Sequence, residues 1–253
     1  MRFIFIFLAV SGLLLVLFPQ LDLAVSNLVY NDDYFALSHS ALAEWLKDKT
    51  SLVMLIAGLS ILGYLAFALW QGDFAHRRKA LYLLVAIALG PGLVTNVVFK
   101  DHWGRARPRE VIEFGGKRQF TPALIISNQC PKNCSFYSGH AAIGFFWASL
   151  AFVLRRRYLF IVGFILGWLF GLLRLFQGAH FLSDIVFAGL FTMGIAYLLA
   201  QVFGLGFSCK TTQFSRNGFL RLSLKQLKNL AFTRRINNQY QASKRFLAKT
   251  RAE

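Results

Sequence analysis

The stretch ALYLLVAIALGPGLVTNVVF, from Ala80 to Phe99, runs directly into KDHWGRARP, from Lys100 to Pro108. The first part is apolar and has the ~20 residues that a helix needs to cross a bilayer. The second part holds one lysine and two arginines. Such a cluster at the end of a membrane helix fits a topology signal, a lipid headgroup anchor or a phosphate-binding site. The rest of the sequence decides among the three.

The composition indicates a membrane protein that crosses the bilayer several times. Hydrophobic residues make up 56% of the 253 residues, and the mean hydropathy is +0.51. Soluble domains typically have about 45–50% apolar residues. The net charge of +17 would suggest nucleic acid as the partner of a soluble protein,. In a membrane protein, the positions of the basic residues first predict topology.

The hydrophobic pattern predicts an all-α fold, a bundle of six transmembrane helices at residues 1–207, followed by a basic tail at residues 208–253. Several apolar segments are shorter than the ~20 residues of a full span, so tilt or extension into flanking residues must complete them. The segments are Phe3 to Phe18, Ser51 to Trp70, Ala80 to Phe99, Ala141 to Leu154, Leu159 to Leu173 and Ile185 to Phe207.

The first helix has an alternative interpretation as a signal peptide, because a short basic start precedes an apolar run. The run is longer than the usual apolar region of such a signal. Ala24-Val25-Ser26, which follows Asp22, is a poor cleavage site. We therefore expect an uncleaved helix.

Basic residues mark one side of the predicted bundle. The positive-inside rule places that side, with both termini, in the cytoplasm. The segment from Pro19 to Thr50 and the loop that begins at Lys100 then lie on the extracytoplasmic side. The residues on the cytoplasmic side are Arg2, Arg77, Arg78, Lys79, Arg155, Arg156, Arg157 and the basic residues of the tail.

The extracytoplasmic loop carries a surplus of cations, which opposes the positive-inside rule. An ordinary solvated loop is the alternative explanation. Because topology does not account for these residues, we expect them to bind a ligand. They are Lys100, Arg105, Arg107, Arg109, Lys117, Arg118 and Lys132.

The same loop holds two of the three cysteines, Cys130 and Cys134. Their short spacing in an oxidising compartment favours a disulfide. A zinc site is the alternative, although no histidine pair accompanies the cysteines in the loop.

The stretch SFYSGHAAIGFF places Ser138, Gly139 and His140 directly before the fourth predicted helix. The first N–H groups of a helix and the positive end of its dipole bind anions well. A simple helix cap and turn is the alternative. The triplet alone is therefore a weak signal.

The stretch RLFQGAHFLSD places Arg174 at the end of the fifth predicted helix, and His180 and Asp184 at the start of the sixth. Four residues apart on a helix, the imidazole and the carboxylate share a face, so Asp184 can hold His180 in one tautomer. A salt link at the end of the bundle is the alternative. Ionisable groups at membrane helix ends that face the bundle interior are nonetheless functional candidates.

Together these residues resemble the three-part signature of the type 2 phosphatidic acid phosphatase superfamily, from Lys100 to Asp184, about a third of the chain,. Tyr137 stands where the family usually has proline, and Leu173 where it usually has serine. These departures put substrate preference and loop geometry in question more than the chemistry. The matching residues are Lys100, Arg107, Pro108, Ser138, Gly139, His140, Arg174, His180 and Asp184.

The resemblance implies a membrane bundle that binds phosphate without a metal or another cofactor. Lys100, Arg107 and Arg174 would supply the positive charge. Ser138 and the Gly139 backbone would add hydrogen bonds.

It also implies catalysis by two histidines. His180 would attack phosphorus to form a phosphohistidine, and Asp184 would orient it. His140 would protonate the leaving oxygen and later activate water. A transporter or scaffold that binds phosphorylated lipid without turnover is the alternative, and it would not need the pairing of His180 with Asp184.

The outer loop further resembles the subgroup that includes bacterial lipid A phosphatases, in WGRARPR, EFGG, FTPA and CPKNCSF. This implies an inner-membrane enzyme whose active site faces the periplasm and removes a lipid A phosphate, the 4′-phosphate rather than the 1-phosphate. Undecaprenyl diphosphate and phosphatidylglycerophosphate stay open as substrates. The residues that would meet a second phosphate or an acidic sugar are Arg105, Arg109, Lys117, Arg118 and Lys132.

The tail, from Ser208 to Glu253, carries eleven Lys or Arg residues and one acid. Leu220, Leu224 and Leu227 fall at helical spacing, which predicts a short helix lying on the anionic lipid of the cytoplasmic leaflet. Nucleic acid is the alternative partner, but no aromatic stacking platform or binding motif supports it. The sequence makes no prediction of oligomeric state.

Overall fold

The computed structural model describes residues 1–207, so the prediction for the basic tail lies outside the described residues. The described part is mainly helical. A short antiparallel hairpin pairs β1 (Tyr30–Asn31) with β2 (Tyr34–Phe35). The helices are α1 (Arg2–Leu17), α2 (Gln20–Asn27), α3 (Ala41–Trp70), α4 (Phe74–Ile87), α5 (Gly139–Phe146), α6 (Leu150–Val153), α7 (Tyr158–Phe176) and α8 (Leu182–Val202).

Several helices of residues 1–207 are long and apolar enough to cross a membrane. Four meet this condition: α3, α7, α8 and the helix over Phe74–Thr95. Helices α1 and α2 pass the same test only as a pair that is bent by 101°, which is either a broken span or a re-entrant loop, and Gly139–Val153 is a shorter apolar helix. Their outer faces expose large apolar side chains such as Leu59, Ile165 and Leu198. Water-soluble proteins rarely expose so many large apolar side chains on long helices, so the chain is a multi-pass membrane protein.

Helix α3 begins well before the predicted start at Ser51, so the segment assigned to an outer loop is partly helical. Ser40 caps the helix by accepting a hydrogen bond from the Ala43 amide at 3.3 Å. Glu44 and Lys47 form an ion pair one turn further on. This first part of α3 is polar, so hydropathy gave no sign of it.

The helix α4 continues as a wider π-helix over Ala88–Lys100, which contains the sequence Gly90-Pro91-Gly92. Proline has no N–H group for an α-helical bond, and the glycines permit a change of winding. The Thr95 hydroxyl donates to the Gly90 carbonyl at 2.9 Å, inside this segment. This change of winding sets the position of Lys100 at the end of the helix, and π-helical turns often occur at functional sites.

Helix α5 lies in the centre of the bundle and packs on α7 and α8. It approaches α7 so closely that a Cβ atom at Gly144 would lie 2.6 Å from the Cα atom of Gly167. A 3₁₀ turn at Trp147–Ser149 separates α5 from α6. The buried core around these helices contains Phe145, Phe146, Phe152, Phe160 and Ile185.

The two ends of the bundle differ in their polar residues. The first end collects Lys100, the start of α5, the end of α7 and the start of α8. At the second end, Arg155 Nη1 donates to the Gly206 carbonyl at 2.9 Å, and Arg157 lies over the Phe207 ring. Because α7 and α8 run between the two ends, these arginines are separated from Lys100 by the length of the bundle.

Candidate active site

Three cations from separate parts of the chain converge at the first end of the bundle. Lys100 ends the π-helix, Arg107 follows in the loop, and Arg174 lies in the last turn of α7. Arg107 is 8% exposed and Arg174 is 5% exposed. Burial, with the nearby charges of Arg107 and Arg174, lowers the pKa of Lys100 to about 8. Three cations that repel one another, two of them buried, form a site suited to a multiply charged anion.

A small loop closed by the disulfide Cys130–Cys134 holds two of these cations. Arg107 Nη2 donates to the carbonyl of Asn133 at 2.7 Å, and Lys100 Nζ lies 3.3 Å from Asn133 Oδ1. The Cys134 amide donates to the Lys100 carbonyl at 3.0 Å. The loop therefore contacts both the backbone and the side chain of the phosphate-binding residues proposed from the sequence.

The third cation, Arg174, is fixed from one side only. Its Nη1 donates to Gln177 Oε1, and Gln177 Nε2 donates in turn to Glu44 Oε1 at 3.2 Å. The Nε–H group of Arg174 is buried and has no hydrogen-bond acceptor among the described residues. Buried donors in proteins are nearly always paired, so this N–H is available to a ligand.

The start of α5 adds neutral donors and a histidine. The Ser138 hydroxyl caps the helix by accepting from the Ala141 amide at 3.4 Å. A Cβ atom at Gly139 would lie 3.4 Å from Lys100 Nζ, so a side chain there would crowd the ammonium group. A ring nitrogen of His140 hydrogen-bonds to the backbone of Lys47, and the positive charges of Arg174 and Lys100 act on this ring.

His180 is almost fully buried and lies in the loop before α8 rather than on the helix. Its Nδ1 atom is 2.8 Å from the Ser135 carbonyl, which can only accept, so Nδ1 carries the proton and Nε2 keeps a free lone pair,. Burial lowers the pKa of His180 to about 3, although Asp184 opposes the shift. The ring is therefore neutral at pH 7, as a nucleophile requires.

The predicted pairing of Asp184 with His180 is present, and the structure adds Ser135 as a closer partner of the ring. The carboxylate lies 3.6 Å from His180 Nδ1, farther than the Ser135 carbonyl. The closest partners of Asp184 are Ser135 Oγ at 2.5 Å, Arg105 Nη1 at 2.6 Å and the Phe181 amide at 2.8 Å. Asp184 thus supports the histidine mainly through Ser135 and the backbone of its own turn.

The prediction that Arg105 meets a lipid headgroup is wrong, because Arg105 is completely buried. Its guanidinium donates to the Thr121 carbonyl and pairs with Asp22 and Asp184 inside the protein. Arg109 is exposed beside the site, where its charge acts on Arg107 and Arg174.

The other predicted headgroup residues lie farther along the loop. Lys117 and Lys132 are exposed. Arg118 is half-buried, donates to the Gln129 carbonyl and approaches Glu110 at 4.0 Å. The structure thus gives Arg118 protein partners and leaves Lys117 and Lys132 accessible to a ligand.

Several residues that sequence reasoning did not select take part in the site. Ser135 and Asn133 act partly through backbone carbonyls, which any residue type supplies, so their identity gives little signal. Gln177 and Asp22 act through side chains, but they come from segments that read as ordinary polar connections. Asp22 is separated from its partner Arg105 by 83 positions, and no local pattern links such residues.

A cavity of about 400 Å³ opens beside Lys100, Gly139 and His140. Its remaining walls are apolar and come from α3, the α4 helix with its π-helical extension, and α5. Within residues 1–207, no group of three or more His, Cys, Asp or Glu side chains could hold a metal ion. The apolar lining residues are Met54, Leu55, Ile87, Pro91, Gly92 and Ile143.

The model of the PAP2 superfamily matches residues 79–206. The lipid A 4′-phosphatase of Francisella tularensis subsp. novicida is 36% identical over 69% of this chain and 82% of that protein. That of Rhizobium etli is 39% identical over 49% of each chain. A solved PAP2-type phosphatidylglycerolphosphate phosphatase from Bacillus subtilis is 18% identical, with a TM-score of 0.46 over 79% of this chain and 93% of that chain. The chain therefore belongs to the PAP2 superfamily and is a membrane phosphatase of the phosphoric monoester hydrolase class.

Proposed function

We propose that this phosphatase removes a phosphate from lipid A, the 4′-phosphate in preference to the 1-phosphate. The observation that carries the chemistry is the neutral His180 ring beside three cations, one of which, Arg174, has a buried Nε–H without an acceptor among the described residues. The substrate rests on the Francisella and Rhizobium relatives, which are lipid A 4′-phosphatases. The site and the relatives thus support one reaction.

The first chemical step forms a bond between His180 Nε2 and phosphorus while the bond from phosphorus to the sugar oxygen breaks. His140 enters this step protonated, with the bound phosphate as its counter-charge, and donates a proton to that oxygen, so the leaving group departs as an alcohol. The charge on the equatorial oxygens is stabilised by Lys100, Arg107 and Arg174. The product of this step is a phosphohistidine and the dephosphorylated lipid.

The second step hydrolyses the phosphohistidine. His140, now unprotonated, takes a proton from water while the water oxygen attacks phosphorus and the bond to His180 breaks. Inorganic phosphate leaves, and His180 returns to its neutral form. Ser138 and the amide of Gly139 donate hydrogen bonds to the phosphate oxygens at the start of α5.

The cavity beside the cations favours a lipid over a soluble substrate. Lys100 and His140 lie on its wall together with Met54, Leu55 and Ile143. A phosphate next to an apolar body fits this combination of charged and apolar wall. The exposed Arg109, Lys117 and Lys132 would meet further acidic groups of the headgroup.

We place the active site at the periplasmic face of a bacterial inner membrane. The arginines at the second end of the bundle favour the cytoplasm for that end. Counting the bent pair α1–α2 and the short helix Gly139–Val153 gives six spans, with both termini in the cytoplasm. Residues 1–207 would form the catalytic domain, and residues 208–253 a basic tail on the anionic inner leaflet.

The test is mass spectrometry of lipid A from cells that express the chain, with His180→Ala as the matched control. We expect loss of one phosphate, chiefly at the 4′ position, and only when lipid A is flipped to the outer leaflet. The control should retain less than about a hundredth of the activity, because general acid–base help alone is worth roughly 10²–10⁴.

Two results would change the proposal in different ways. Unchanged lipid A, with phosphate release from undecaprenyl diphosphate or phosphatidylglycerophosphate in detergent, would overturn the substrate but keep the mechanism. Binding of phosphorylated lipid without any phosphate release would instead support a transporter or scaffold.

A further inference from the structure

A buried ion cluster, formed by Asp22, Arg105, Ser183 and Asp184, adjoins the proposed nucleophile. All four residues are 0% exposed. Arg105 Nη2 lies 2.7 Å from Asp22 Oδ2, and Arg105 Nη1 lies 2.6 Å from Asp184 Oδ1. The guanidinium therefore bridges a carboxylate of α2 and a carboxylate of α8.

The cluster is closed on all sides by protein groups. Asp22 accepts hydrogen bonds from Arg105 Nη2, from the Ser183 amide at 2.8 Å and from the Ser183 hydroxyl at 2.5 Å. Three donors thus converge on the carboxylate of Asp22 and hold it against Arg105 and the start of α8. Arg105 also lies over the Phe181 ring, 4.4 Å from its centroid. Burial by itself lowers the pKa of Arg105, but the carboxylates of Asp184 and Asp22 raise it.

A continuous set of short contacts leads from this cluster to His180. Asp184 Oδ2 accepts from the Ser135 hydroxyl at 2.5 Å, and the carbonyl of the same serine accepts from His180 Nδ1 at 2.8 Å. The Ser135 amide donates to the Arg105 carbonyl at 2.9 Å. Arg105 and Asp184 thus hold the residue that fixes the tautomer of His180.

We propose that Asp22 is a positioning residue of the phosphatase reaction, because it fixes Arg105 and thereby the Asp184 carboxylate and the Ser135 carbonyl that orient His180. The inference rests on the proposed function of His180 as the nucleophile. Asp22 touches neither the phosphate-binding cations nor the cavity, so its effect passes through Arg105.

The charge of Asp184 matters as well as the geometry of the cluster. The His180 ring becomes cationic when Nε2 bonds to phosphorus, and the Asp184 carboxylate, 3.6 Å from Nδ1, stabilises it,. With Asp22→Asn, Arg105 would lose one of its two carboxylate partners, and Arg105 would hold Asp184 less firmly.

A purely structural strut between α2 and α8 is the competing explanation. Burying an ion cluster carries a desolvation penalty, and apolar side chains of similar volume often give equal or greater stability. A purely structural contact between α2 and α8 would therefore not require the three ionisable side chains of Asp22, Arg105 and Asp184. The two explanations differ in which kinetic constant changes, so an experiment separates them.

The test measures phosphate release from purified lipid A in detergent micelles by the wild type and by Asp22→Asn, with the exposed Asp33→Asn as the matched control. We expect Asp22→Asn to lower kcat by roughly 10- to 100-fold, the usual cost of losing a partner that orients a reactive group. KM and inhibition by vanadate should change less than about threefold, because all three cations remain. Asp33→Asn should behave like the wild type.

A double-mutant cycle adds a measurement that distinguishes a positioning role of Asp22 from a purely structural one. Asp22→Asn combined with Asp184→Asn should lose little more than Asp184→Asn alone, since both changes act on one unit. Full multiplication of the two losses would overturn the proposal. Wild-type kcat in Asp22→Asn, or an equal loss of kcat and vanadate inhibition, would overturn it as well.

Two further comparisons keep the outcome clear. If Asp22→Asn does not fold, Ser183→Ala decides: it removes one hydroxyl from the cluster and should lower kcat about fivefold, and unchanged kcat overturns the proposal. His180→Ala in the same assay tests the proposed function itself. If it abolishes release while Asp22→Asn is fully active, only the positioning role fails.

Discussion

At the scale of single residues, the site places a neutral histidine next to three cations that repel one another. His180 is kept neutral, since burial lowers its pKa to about 3. Lys100 is kept close to its titration point, since burial and two neighbouring cations lower its pKa to about 8. A phosphate anion would relieve the repulsion among these cations and return Lys100 fully to its charged form. Binding of a phosphorylated substrate would therefore offset the repulsion among the three cations of the free protein.

This arrangement predicts an alkaline limit on activity near pH 8. Below pH 8 Lys100 is protonated and binds phosphate, and above pH 8 the free enzyme loses that charge, so kcat/KM should fall as the pH rises. Protonation of His180 does not contribute at this pH, because its pKa is about 3. The measurement is kcat/KM against pH for the wild type and Lys100→Arg.

In Lys100→Arg, the limit should move well above pH 8, since arginine stays charged, while the maximal rate falls because the guanidinium is larger. The exposed Lys117→Arg is the control and should leave the profile unchanged. A limit near pH 8 that persists in Lys100→Arg would assign the titration to another group.

At the scale of elements, the loop closed by Cys130 and Cys134 contacts two of the three cations through Asn133. Asn133 accepts from Arg107 through its carbonyl and contacts Lys100 through its side chain. By the chain-entropy model, a disulfide that closes five residues stabilises the folded state by about 2 kcal/mol, because it restricts the unfolded chain. The disulfide therefore limits the freedom of the one segment that holds two of the three cations.

Removal of the disulfide should weaken phosphate binding more than catalysis. For the pair Cys130→Ser with Cys134→Ser, we expect a higher KM and weaker vanadate inhibition, by no more than about 30-fold. Because His180 and Asp184 do not contact this loop, kcat should change little. Steady-state kinetics with and without reductant measures both quantities.

Cys209→Ser provides the control, since Cys209 lies outside the described residues and is not part of the pair. Reductant should reproduce the double variant in the wild type and have no further effect on that variant. An unchanged KM in the double variant would show that the loop keeps its conformation without the disulfide.

The elements also show what the sequence can and cannot predict. The apolar segments predicted all the long helices, because hydropathy reports directly on residues that face lipid. The start of α3 was missed because its first turns are polar and carry Glu44 and Lys47. The π-helix at Ala88–Lys100 was missed as well, since a Gly-Pro-Gly sequence predicts a break but not the kind of helix that follows.

The residues of the candidate site also fall into those that the sequence predicts and those that it does not. The resemblance to the three-part family signature from Lys100 to Asp184 predicted the residues that meet at one end of the bundle. It did not predict the role of Arg105, which reads as one more loop cation but is buried against Asp22 and Asp184. Such a pairing depends on the bend of 101° between α1 and α2, which carries Asp22 across the end of the bundle. A tertiary bend of this kind has no local sequence signal.

At the scale of the whole molecule, the two ends of the bundle carry basic residues for different reasons. At the first end, Arg107 and Arg174 are buried beside the half-buried Lys100, and the three cations suit a phosphate. At the second end, arginines such as Arg156 are exposed and lie at a helix connection. Exposed arginines there fit the positive-inside rule, whereas buried ones fit ligand binding. The distribution therefore predicts an orientation in the membrane.

That orientation can be measured with single cysteines at exposed positions of the two ends. Lys117→Cys lies in the loop at the first end, and Arg156→Cys lies between α6 and α7, each in a Cys209→Ser background with the Cys130–Cys134 disulfide intact. An impermeant maleimide applied to spheroplasts should label Lys117→Cys at once and Arg156→Cys only after lysis, because the positive-inside rule puts the arginines in the cytoplasm. The reverse labelling pattern would place the active site in the cytoplasm. It would exclude lipid A in the periplasmic leaflet of the inner membrane as the substrate. Equal labelling of both before lysis would contradict the assignment of the two loops to opposite ends of the bundle.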